Sequence, residues 1–163
     1  MTIFLVTLGT LLIAAAVVLT FMSVRYSPAV AFSGLVAFGF SGIAPMGPDL
    51  FIFWGIAALI AVGVNFMLPR EVACSRIGMG YVAAGALVGL VVGLLLSEAA
   101  MIIGAVLGAV AGGIAFSRTP AGRAVDFPSS RFLNYICAKG LPAVITLCQC
   151  GVVAVQALTY ASI

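Results

Sequence analysis

The sequence predicts an all-α, polytopic transmembrane helical bundle of about six spans, on three observations. First, 64% of the 163 residues are hydrophobic and only 7% are charged, whereas soluble domains carry about a quarter charged residues. Second, the apolar residues gather in six uncharged runs, 2–22, 28–44, 50–68, 77–96, 99–116 and 140–160, most of them close to the roughly 20 residues a helix needs to cross the hydrocarbon core. Third, all seven basic residues fall in alternate loops, which gives the bundle one sidedness. The runs are continuous rather than alternating, so they read as helices and not as barrel strands. Together they leave no stretch for a separate soluble domain, and the chain reads as one integral membrane domain, 1–163.

The first run, TIFLVTLGTLLIAAAVVLTFM, has no Lys or Arg before it and Arg25 after it. A cleavable signal peptide has the opposite charge order and a shorter apolar core, so this run reads as a retained span with a translocated N-terminus. The second, PAVAFSGLVAFGFSGIA, is short and carries three glycines and two serines. It crosses the membrane or turns back as a re-entrant segment, which would leave five crossings. With six spans, Arg25, then Arg70 and Arg76, then Arg118, Arg123, Arg131 and Lys139 share one side, while Asp49 and Glu98 lie on the other. Six spans therefore fit the positive-inside rule, with both termini outside the cytoplasm. Spans three to five are each uncharged, with Arg70, Glu71 and Arg76 between the third and fourth and Glu98 between the fourth and fifth. Before span six, the loop SRTPAGRAVDFPSSRFLNYICAK is broken by Pro120 and Gly122 and restarts at Ser129 or Ser130 as N-cap. A helix over 129–138 would gather Phe132, Leu133, Ile136 and Cys137 on an apolar side. It reads either as an interfacial helix or as a connecting loop with an aromatic anchor.

Gly85, Gly89 and Gly93 recur every four residues, and Gly104, Gly108 and Gly112 repeat the spacing in the next span. On a helix such spacing makes a groove along one face, where a partner backbone comes close. Lipid tails are as apolar as the side chains, so helices associate through close van der Waals and Cα–H···O contact. The two grooved spans are sequence neighbours and antiparallel, which predicts a glycine-zipper hairpin of spans four and five. A groove turned toward another subunit, or lining a conduit, is the alternative.

Ionisable residues inside spans mark transport pathways, and this reading places none there. Asp49, Glu98, Glu71 and Asp126 read as solvated end residues or weak ion pairs with Arg70 and Arg123. The polar residues within or bordering the spans are Asn65, Gln149 and Gln156, with hydroxyls such as Ser33, Ser41 and Thr146. Gln149 lies deepest, about midway along span six, and reads as interhelical glue of about 1 kcal/mol or as part of a polar site in the membrane. Cys148 and Cys150 point apart on a helix and read as core residues; Cys74 and Cys137 fall on the reducing side, where a disulfide is not expected. No histidine is present, and two thiolates make an incomplete metal site. No cofactor, metal or catalytic constellation is expected. Trp54 and Tyr160 read as interfacial belt residues.

From FWGIAALIAVGVNFMLP through SRIGMGYVAAGALVGLVVGLLL to IIGAVLGAVAGGIAFSRTPAGR, about residues 50–125, the chain resembles a family of small bacterial membrane proteins called domain of unknown function four-five-six. The resemblance implies a multi-pass protein of the bacterial inner membrane with no assigned activity. The expected function is non-enzymatic: a scaffold, assembly factor or accessory subunit working through helix packing, with the lipid bilayer and a membrane partner or homo-oligomer as its contacts and no nucleic acid. The alternative is a small channel or transporter for a neutral or weakly polar solute, which requires a hydrated cavity.

Overall fold

The computed structural model describes residues 2–43, 46–68, 76–125 and 127–161, with the side chains of 160 and 161 set aside. Among these residues all the regular secondary structure is helical. The helices are α1 (Thr2–Phe21), α2 (Ser27–Gly39), α3 (Pro48–Met67), α4 (Met79–Leu94), α5 (Glu98–Ser117) and α6 (Ser130–Ala161), with one 3₁₀ turn at Pro120–Gly122. Arg70, Glu71, Cys74 and Asp126 lie outside the described residues.

Each boundary has a local cause. Pro28 and Pro48 sit in the first turns of α2 and α3, where the missing N–H would have had no helical partner. Ser97 caps α5 by accepting from Ala100 N at 3.1 Å, and Glu98 follows in the first turn, where the helix dipole favours a carboxylate. Ser129 Oγ accepts from Phe132 N at 3.1 Å and caps α6. Gly42 and Gly78 hold φ of 75° and 77°, the left-handed turns that end α2's exit and begin α4.

Four helices, α1, α3, α5 and α6, are long and apolar enough to cross a membrane. The other two are shorter: α2 has 13 residues and α4 has 16, about 20 and 24 Å at helical rise. α1 and α2 pack antiparallel around Gly9 and Gly34, where a Cβ on Gly9 would lie 3.0 Å from Gly34 O. α4 and α5 form a second antiparallel pair, and α6 touches all five other helices. Its most apolar stretch is 61% buried, against 17% for α1. Large side chains such as Phe4, Leu11, Leu59, Val88 and Leu107 face outward, the arrangement expected where the surrounding solvent is lipid.

The separate helix over 129–138 and span over 140–160 are in fact one 32-residue helix, with Pro142 inside it. The expected apolar side is also rotated: Phe132, Tyr135 and Ala138 are buried, while Leu133 and Cys137 are exposed. Proline has no N–H for the carbonyl four residues back, which here is Ala138 O. That carbonyl instead accepts from Asn65 Nδ2 of α3 at 3.1 Å. An amide from a neighbouring helix thus supplies the bond that Pro142 cannot make, and α6 runs on through it. A second amide repeats the link in the opposite sense, since Gln149 Nε2 of α6 donates to Trp54 O of α3 at 3.4 Å. The two bonds are separated by eleven residues on each helix, about three turns or 16 Å, and so fix an antiparallel register between α3 and α6.

The Asn65 bond and Pro142 should therefore be coupled. In lipid or mixed micelles, Asn65→Ala is expected to lower stability by about 1 kcal/mol. In a Pro142→Ala background, where the backbone N–H returns, the loss should shrink by more than half. Additive effects in this double-mutant cycle would contradict the assignment.

Candidate functional site: a glycine hairpin and a buried polar seam

The six glycines singled out by their spacing all lie in the α4–α5 pair. A Cβ built on Gly85 would collide with Gly108 O, one on Gly89 with Gly104 O, and one on Gly93 with Ala100 O; Gly104, Gly108 and Gly112 in turn face Gly89 O, Gly85 O and Tyr81 O. At these six positions a hydrogen is all that fits between the backbones. Gly93 and Gly112 meet non-glycine residues across the pair, so the two four-residue ladders overlap over only part of their length. Behind the contact, on the surface facing away from α6, a shallow groove of about 490 Å³ is floored by Gly89, Gly93, Gly104 and Gly108 and walled by Leu96 and Leu107.

The polar residues converge elsewhere, between α6 and the α1–α3 group. Thr20, Ser27, Asn65, Lys139, Thr146 and Gln149 are each no more than 2% exposed. On α6, Lys139, Pro142, Thr146 and Gln149 fall within an arc of roughly 80°, one face of the helix. At its basic end Thr20, Ser23, Ser27, Asn65 and Lys139 line a cavity of about 10 Å³, room for about one water molecule. Gln156 continues the face toward the C-terminus and is half-buried.

Lys139 departs from the sequence reading, which placed every basic residue in a loop. The continuous α6 draws it into the helix, with Nζ 5.7 Å from the centre of the Tyr135 ring. The same cavity brings a lysine beside Ser23 and Ser27, a pairing the sequence did not reveal. A serine–lysine pair can support acyl chemistry, but a space for one water admits no substrate bond.

Trp54 is also displaced from its expected role. Its ring is buried, packed edge-on against Phe53 at 5.2 Å, and is not a belt residue. Near it, Asp49 and Glu98 line one depression of about 380 Å³ with Leu50, Phe53 and Met101. At the opposite end Arg25 lies 5.5 Å from the centre of the Phe66 ring, which Tyr26 meets edge-on. Cys148 is buried, Cys150 half-buried and Cys137 exposed, all as free thiols; among the described residues no group of metal-ligating side chains gathers.

Comparison with protein-family models, curated proteins and solved structures finds no match to this chain.

The glycine contacts predict a contrast between positions of equal composition. Gly89→Ala or Gly108→Ala should destabilise by about 2 kcal/mol or more, because the methyl meets backbone that cannot move aside. Gly63 and Gly80, where an added Cβ meets nothing within 4 Å, should accept alanine with no loss or a gain of about 0.5–1 kcal/mol. Thermal unfolding of the four variants in one detergent checks the ranking.

Proposed function

We propose that this chain is a non-enzymatic, six-span protein of the bacterial inner membrane that acts as a scaffold, assembly factor or accessory subunit. Its α4–α5 glycine zipper backs a rigid groove in which a partner's transmembrane helix rests. The resemblance to domain of unknown function four-five-six belongs to the same reading, as do cytoplasmic basic loops and termini on the far side. The observation that carries it is the groove behind the hairpin. Glycine floors it, and its walls are apolar and lipid-facing, which is where a second helix gains close contact without needing hydrophobic exclusion from water. The water-sized cavity at the basic end, by contrast, is too small to carry a solute.

Ala111 lines this groove and is exposed, so a larger side chain there fills the groove without entering the α4–α5 contact. Extraction in native lipid particles, with mass determination of the intact assembly, should show a stoichiometric second chain. Ala111→Leu should release it while leaving the melting temperature unchanged. A lone monomer from both forms would overturn the reading.

The alternative, a small channel or transporter for a neutral or weakly polar solute, draws its support from the convergence of Asn65 and Gln149 on the buried seam. It predicts solute flux in liposomes that Gln149→Leu abolishes.

A further inference from the structure

Thr7, Thr10, Thr20 and Thr159 each donate to a helical carbonyl three or four residues back, the usual way a hydroxyl is satisfied inside a membrane helix. Thr146 does not. Its Oγ1 is fully buried and has no protein hydrogen-bond partner. One turn along the same face, Gln149 spends its Nε2 on Trp54 O, but its Oε1 is equally buried and equally unpartnered. At the basic end the hydroxyls of Ser23 and Ser27 are in the same condition, and both line the cavity with room for about one water. Leaving a single such group unmade costs about 1–3 kcal/mol, and native proteins seldom leave several along one line.

We infer that the seam between α6 and α1–α3 is a binding site for water, reaching from Ser23 and Ser27 at the basic end past Thr146 to Gln149 near the middle of the bundle. The donor set selects this ligand. Hydroxyls can both give and accept, and the Gln149 amide oxygen accepts, which matches a neutral molecule with two donors and two acceptors. Lys139, the charged residue on this face of α6, lies at the basic end, about 10 Å along the helix from Thr146, so an ion dehydrated between Thr146 and Gln149 would be poorly compensated. Ala58 and Ala61 of α3 are buried and, in the register set by the two amide bonds, fall opposite the stretch of α6 that carries Pro142 and Thr146, where each offers only a methyl group. The hydration of the seam is independent of any partner on the α4–α5 groove.

Water-edited solid-state NMR on the full chain in lipid bilayers tests this, because magnetisation passes from water only to nearby protons. The expected result is several-fold faster build-up at the side chains of Ser27, Thr146 and Gln149 than at Ala105 and Leu90, which are buried in the α4–α5 half of the core. Thr146→Val keeps the shape, removes the hydroxyl and should slow the build-up at Gln149. Build-up at Thr146 and Gln149 no faster than at Ala105 and Leu90 would overturn the inference, even if Ser27 alone proved wet.

Discussion

The rest of the bundle depends on how α6 crosses its own proline. Pro142 removes the N–H that Ala138 O would have taken, in a setting where lipid offers no replacement. Asn65 provides one from α3, and Gln149 returns a bond to α3 three turns further on. These two amides do for α3 and α6 what glycine does for α4 and α5. One pair of helices is set in register by hydrogen bonds, the other by the close approach of bare backbone.

The two devices divide the molecule. On one side of α6 lie α1–α3, where hydroxyls and the Asn65 amide face Lys139, Thr146 and Gln149 of α6. On the other lies the α4–α5 hairpin, whose contact with α6 is made by Val82, Leu90, Met101 and Ala109 among others, all buried. Because α6 touches every other helix, it joins a polar half to an apolar one. The polar half accounts for the buried seam; the apolar half accounts for the outward-facing groove.

The helical class was legible from composition and from uninterrupted apolar runs, because the bilayer allows so few alternatives. A four-residue glycine repeat marks one face of a helix, and a Cβ added at any of those six positions would meet backbone of the facing helix. Lys139 was misplaced because Gly140, Pro142 and a cluster of basic residues look like the end of a loop. What keeps the helix running is a bond from Asn65, more than seventy positions away, and no local pattern contains it. The face shared by Lys139, Thr146 and Gln149 becomes visible only once α6 is taken from Ser130 onward. Trp54 was misread for a related reason: its depth follows from packing against α6, not from its distance to a span end.

A dipolar-recoupling measurement between ¹⁵N at the Asn65 side-chain amide and ¹³C at the Ala138 carbonyl, in bilayers, tests the α3–α6 link most directly. Strong dephasing is expected, as an N···O bond of 3.1 Å requires. Absence of dephasing in folded protein would mean that Pro142 leaves its carbonyl to some other donor, and that α3 and α6 are registered by something else.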